Sequence, residues 1–204
     1  MENSSGEIKM SELVNLPKPN QDGSVSLEKA IAARRSRRHF LPKPLTPEQT
    51  GQLIWAAQGK DARSGYRTTP SAGATYPLEL FVVNGDGLFR YLLDRHCLEK
   101  LTEQDLRAEL ASAAWGQGFI EDAPLTLVFT AQFSRTTGRY GQRGIRYVYM
   151  EAGHAAQNVH LQAQVLGLGS VPVGAFDDAS VSKALSLPGE LEPIYMVTVG
   201  YCRK

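Results

Sequence analysis

A chain of 204 residues is the size of one globular domain, and an apolar fraction of 42% with 8% aromatics excludes a disordered or fibrous protein. The formal net charge of +1 excludes a broad electrostatic pull toward nucleic acid or acidic membranes, so any anion site has to be built locally. Cys97 and Cys202 stand far apart and form no CxxC pair, which gives neither a zinc pattern nor a disulfide framework.

Residues 1–10 are polar and acidic where a signal peptide would be basic and then apolar, and no stretch reaches the ~18 apolar residues of a membrane span. The expectation is a cytoplasmic protein with no membrane contact. Residues 1–25 are rich in Ser, Asn, Pro and Lys and read as an extended arm that frays or wraps a neighbour, ahead of one domain over 26–204. Ser26 offers an N-cap, and Leu27, Ala30, Ile31 and Ala33 or Arg34 follow at helical spacing. This short helix runs into Arg34, Arg35, Arg37 and Arg38.

Thr46-Pro47-Glu48-Gln49 is a cleaner start: a cap hydroxyl, proline at the first helical position, and Gln completing a capping box. Leu53, Ile54, Ala56 and Ala57 pack this helix and Gly59 ends it. The small, polar, proline-bounded segment 68–77 then feeds an apolar strand over 78–83. Asn84-Gly85-Asp86-Gly87 predicts a hairpin whose second strand covers 88–93. Thr102 is expected to cap a helix to about Trp115, and 125–131 reads as a strand.

The longest element is expected over 145–166, where Val148, Ala152, Ala155, Val159, Ala163 and Leu166 recur at intervals of three and four. Such a helix is about 33 Å long, and its alanine-rich stripe suits a central or dimer-facing position. Residues 171–176 form a short apolar segment, Asp177 caps a small helix through Leu185, and 195–199 reads as the last strand. Helices and strands mixed without strict alternation favour an α+β sheet.

Nucleotide and hydrolase signatures fail: there is no GxxxxGK[ST], no GxSxG and no HExxH, and the glycines at 167, 169 and 174 miss the GxGxxG spacing. Glu151 and His154 form a single Glu-x-x-His pair, but a di-iron site needs a second copy and two more glutamates. They read as a polar pair on a packed helix, and the chain predicts no metal site. The arginine run has a plain reading as well, since cations at a helix C-terminus stabilise it by ~0.3–1 kcal/mol. Were it a site, phosphate would rank ahead of nucleic acid, because no aromatics interleave for base stacking.

Four segments, in order, resemble the nitroreductase family and most closely its SagB/ThcOx-type dehydrogenase branch: Ala-Ile-Ala-Ala-Arg-Arg-Ser-Arg-Arg at 30–38, Pro-Ser-Ala-Gly-Ala-Thr-Tyr-Pro at 70–77, Glu-Ala-Gly-His-Ala-Ala-Gln-Asn at 151–158, and Gly-Leu-Gly-Ser-Val-Pro-Val-Gly-Ala-Phe-Asp at 167–177. The resemblance covers residues 26–201. It implies an antiparallel-dominated sheet flanked by helices, in an entwined homodimer with FMN in clefts between the subunits.

On that resemblance, Arg34, Arg35 and Ser36 hold the phosphate and ribityl chain, and Arg38 approaches the pyrimidine side of the flavin. Arg37 is left in solvent. Pro70, Ser71, Ala72, Gly73 and Ala74 come from the partner and let backbone lie against the ring. Val173, Gly174 and Ala175 pass over the flavin, where a backbone N–H can bond N5; many relatives carry an acidic residue and glycine there, which this chain lacks. Arg203 is a further candidate phosphate contact.

The implied activity moves hydride from NADH or NADPH through FMN to a small acceptor such as a nitroaromatic or quinone. The branch also includes enzymes that oxidise azoline rings in modified peptides, where a Lys-Tyr pair corresponds to Arg139-Tyr140. Arginine is a poor general base, which moves that chemistry behind general reductase activity. Arg139, Tyr140 and Arg143 otherwise read as a solvated loop. A flavin-binding module without turnover is a second expectation, and a nucleic-acid module using residues 34–38 ranks last.

Overall fold

The structure, a computed structural model, describes residues 12–61 and 63–203. The first eleven residues of the expected arm, and with them the signal-peptide argument, lie outside the described residues. The elements in chain order are β1 (Leu13–Asn15), α1 (Leu27–Ala33), α2 (Pro47–Gln58), β2 (Leu78–Asn84), β3 (Gly87–Leu92), β4 (Cys97–Thr102), α3 (Arg107–Ala113), α4 (Phe119–Asp122), β5 (Leu125–Ala131), α5 (Ser134–Tyr140), α6 (Arg143–Val165), β6 (Gly169–Val173), α7 (Asp178–Ala184) and β7 (Glu192–Gly200). The strands form one seven-stranded sheet in the order β1-β4-β3-β2-β5-β7-β6, each neighbour antiparallel. This is the α+β class expected of the sequence.

Both faces of the sheet are covered. Leu78, Leu80 and Val82 of β2 and Leu125, Leu127, Phe129 and Ala131 of β5 meet α2 and α6, while Phe81, Val83 and Val128 meet α3, α4 and α7. Successive strand residues point to opposite faces. Strands buried on both sides therefore read as unbroken apolar runs, which is how β2 and β5 appear in the sequence.

Local signals did what their chemistry dictates. Ser26 accepts from Lys29 N at 3.3 Å, and Thr46 and Gln49 form the full reciprocal capping box. Asp177 caps α7 by accepting from Ser180 N at 2.8 Å. The hairpin turn sits at residues 84–87. Helix α6, 23 residues long, spans about 35 Å.

Three expectations change. Thr102 ends strand β4 instead of capping a helix; its Oγ1 accepts from Gln104 N at 3.2 Å in a local turn, and Asp105 takes the first helical turn by accepting from Arg107 N at 3.1 Å. The described part of the arm, residues 12–25, is fastened to its own chain: β1 pairs with β4, and Asn20 N donates to Gln52 Oε1 at 2.8 Å. Arg139 and Tyr140 belong to α5 and Arg143 to α6, so that stretch is helical.

Candidate functional site

Arg34 is the C-cap of α1, its N–H donating to Ala30 O at 2.9 Å. The chain then leaves the helix and runs beside the edge strand β6, where Ser36 forms a parallel bridge with Ser170 and Arg37 N donates to Ser170 O at 3.0 Å. Arg34 turns toward α6, and its Nη1 lies 3.2 Å from His160 Nε2. The other ring nitrogen of His160, Nδ1, is hydrogen-bonded to Ser170 Oγ. Burial, then the neighbouring Arg34 charge, push His160 down to about 4, so the ring is neutral at physiological pH.

The other arginines divide. Arg35 Nη1 donates to Ala32 O at 2.9 Å and Arg34 O at 2.7 Å, the helix-end role that its position allows on electrostatic grounds. Arg38 stacks over Phe119 of α4, 5.7 Å from the ring centroid, on the opposite face of the sheet from α6. Arg37 is exposed, with its stem against Gly169. Arg203 N donates to His39 O at 3.4 Å, which brings the chain's last described residue to the same edge. β6 ends at Val173, and Gly174 and Ala175 are exposed beyond it, with Ala175 O accepting from Gln117 Nε2 at 2.9 Å.

A second group gathers on the loop before β2. Ser71 Oγ accepts from Tyr76 N at 2.9 Å, and Ala72–Ala74 form a 3-10 turn in which Gly73 has φ 59° and Ala74 φ 52°. Helix α5 closes on this turn. Arg139 Nη1 donates to Gly73 O at 3.0 Å, and a side chain at 73 would meet both the Tyr140 hydroxyl and the Arg139 guanidinium. Gly73 thus supplies both the left-handed φ and the clearance. Arg139 and Tyr140 therefore join Pro70, Ser71, Ala72, Gly73 and Ala74.

Beneath the loop lies Glu151, 3% exposed, with Oε1 lacking a partner among the described residues. Desolvation raises its carboxyl to about 7, against smaller opposing effects of Ser71 and Arg67. His154 is exposed, so Glu151 and His154 do not form the joint polar pair that their spacing suggested. Arg67 donates to Gln58 Oε1 at 2.7 Å and Leu78 O at 2.9 Å and stacks on Tyr76.

One chain does not bring the two groups together. Glu151 and His160 are nine residues apart on α6, which is about 14 Å along the axis and half a turn around it. They stand on opposite flanks of the buried stripe formed by Val148, Ala152, Ala155, Val159 and Ala163. The arginine edge and the 70–74 loop are thus two separate clusters on this chain. A cleft of 1060 Å³, lined by Asn20, Gln52, Trp55, Tyr66, Arg67 and Val165 among others, contains none of the candidate residues at 34–38, 70–74, 139–140, 173–175 or 203.

His160 and Glu151 gained no role from the sequence. The available signal was position: each is a polar side chain at the margin of an otherwise apolar helical stripe.

The chemistry of the arginine edge suits a phosphate-bearing ligand. Arg34 retains guanidinium donors beyond the one facing His160, Ser36 has an exposed side chain, and Gly174 offers backbone without a Cβ.

A model of the nitroreductase family matches residues 31–201. A Methanocaldococcus jannaschii protein named as a nitroreductase, MJ1384, is 42% identical over 182 residues, 86% of this chain and 91% of its own. A Ralstonia eutropha protein solved under the nitroreductase name superposes with a TM-score of 0.85 at 32% identity, covering 94% of this chain and 90% of that one. The NADPH-flavin oxidoreductase of Vibrio harveyi is 26% identical over 84% of this chain and 63% of its own length.

Proposed function

Since the chain belongs to the nitroreductase family, we propose that it is an FMN-dependent oxidoreductase that moves hydride from NADH or NADPH to a small acceptor, acting as a homodimer. The observation that carries this reading is the edge of β6, where Arg34, anchored on His160, stands beside Ser36 and ahead of the exposed backbone of Gly174 and Ala175. The name of the Vibrio harveyi relative supports the flavin and the nicotinamide donor.

In this reading Arg34, Arg35 and Ser36 hold the phosphate and ribityl chain, with Arg203 beside them. A guanidinium fork matches phosphate oxygens, and a dianion calls for more than one. Arg38 places a positive charge near the pyrimidine end of the ring, where it favours added electron density. Bound FMN supplies the atom that accepts and releases hydride. The backbone of Val173, Gly174 and Ala175 orients the ring. Pro70, Ser71, Ala72, Gly73 and Ala74 of a second copy, braced by Arg139 and Tyr140, close the opposite side and exclude water. Exposed Leu27 and Ile31 on α1 and Tyr149 and Met150 on α6 leave apolar surface for that copy to cover.

Azoline oxidation is disfavoured because arginine is a poor general base and Arg139 is already tied to Gly73 O. A flavin-binding module without turnover would bind FMN but leave it oxidised in the presence of either nicotinamide. The test is direct: the purified chain is expected to be yellow, and anaerobic NADH or NADPH should bleach the flavin band. Arg34→Ala should weaken FMN binding markedly in a protein that stays folded and dimeric. A colourless protein that ignores added FMN overturns the proposal.

A further inference from the structure

His160 has no part in the sequence motifs, yet among the described residues it is the side chain hydrogen-bonded to the Arg34 guanidinium. An arginine has only donors to offer, so the contact between Arg34 Nη1 and His160 Nε2, 3.2 Å apart, requires a lone pair on Nε2. The proton of the neutral ring therefore sits on Nδ1 and is donated to Ser170 Oγ. Ser170 is in turn fixed by the sheet: it belongs to β6, registers with Val199 of β7, and its carbonyl accepts from Arg37 N. The imidazole is 4% and Ser170 2% exposed, so water does not compete for either contact.

We infer that His160 is a positioning residue for anion binding: held by Ser170, it takes one Arg34 donor and so aims the remaining guanidinium N–H groups outward, at the phosphate of a bound flavin nucleotide. The inference rests on the reading of Arg34 as a phosphate ligand. A free guanidinium would have to be ordered on binding, at an entropic cost; one already anchored loses less freedom. Burial and the Arg34 charge both oppose protonation of the ring, which keeps it an acceptor instead of a competing cation. At metal sites, residues that orient a ligand from behind change affinity about 10- to 100-fold when removed, and an anchor behind a phosphate-binding arginine is expected to act on the same order.

Two measurements on the full chain test this. In binding titrations, His160→Leu is expected to weaken FMN by about 10-fold or more while riboflavin, which lacks the phosphate, binds as it does to the unmodified chain. His160→Gln, whose amide oxygen can accept from Arg34, should recover most of the loss. Equal weakening of FMN and riboflavin, or unchanged FMN binding in a folded His160→Leu protein, overturns the inference.

The second measurement does not depend on any ligand. In protein with 15N-labelled histidine, long-range 15N–1H correlations should show His160 in the Nδ1–H form, and Arg34→Ala should release it to a mixture of tautomers. An Nε2–H ring in the unmodified chain refutes the anchor even if FMN binds. Failure of that chain to bind FMN, with the Nδ1–H form intact, removes the phosphate reading and with it the role in anion binding, leaving a purely structural contact.

Discussion

Glu151 is a buried acid in no ion pair among the described residues, and that makes its protonation part of the fold's stability. Its carboxyl is raised from 4.5 to about 7, so the folded chain binds the proton more tightly than the unfolded chain. The stabilisation is complete below pH 4.5 and is lost as pH rises through about 7. Glu151→Gln keeps the shape and removes the titration, so the variant should become the more stable of the two above pH 7, measured by urea unfolding across pH. A difference between the two proteins that is the same at every pH would contradict a neutral buried acid.

His160 has the opposite sign: lowered from 6.5 to about 4, it contributes stability above pH 6.5 that fades as pH falls toward 4. At this scale the sequence shows the arginine cluster plainly and hides its supports. Charge runs are visible in any sequence, whereas Ser170 and His160 meet only because β6 returns against α6.

Helix α2 shows what local chemistry alone can determine. Thr46 and Gln49 cap it reciprocally, Pro47 pre-sets its first turn, and Leu53 and Ile54 are fully buried. Thr46→Ala should cost about 1 kcal/mol in unfolding free energy, measured by urea unfolding. An unchanged unfolding free energy would contradict the role of this cap. Elements set by distant partners were not legible.

β4 reads Cys-Leu-Glu-Lys-Leu-Thr, a charged segment with no strict alternation, and it is a strand because β3 and β1 flank it on both sides. β1 has three exposed residues and no apolar face of its own, so only its pairing with β4 defines it. α5 carries Arg139 and Tyr140 against Gly73, a contact between residues far apart in the chain that no spacing rule anticipates.

For the whole molecule, α6 is the divider: its two flanks present the arginine edge and the 70–74 loop in different directions. If a site is completed by a second copy, Arg34 and Gly73 act from different chains. Differently tagged Arg34→Ala and Gly73→Trp chains, each expected to bind FMN poorly alone, should then regain one intact site per mixed dimer when co-expressed. Absence of flavin from the purified mixed dimer would place both residues in one chain's site. Fold class, hairpin, long helix and terminal strand were readable because each rests on periodicity or on a turn within a few residues. The separation of the arginine edge from the 70–74 loop came from the family resemblance alone, which assigned the loop to a partner; no periodicity shows it, because it depends on where Glu151 and His160 lie once α6 is seated on the sheet.

The bridge from Ser36 to Ser170 also bears on solubility. β6 is a border strand, and a border strand with free N–H and C=O groups is a template on which other molecules can add strands. Here the segment carrying Ser36 and Arg37 lies along that border and engages it. Four arginines within residues 34–38 give this segment a concentrated positive charge that an anion would offset. If FMN binds there as proposed, its phosphate would relieve that repulsion, and the flavin-free chain is expected to hold this seam less firmly and to clump more readily.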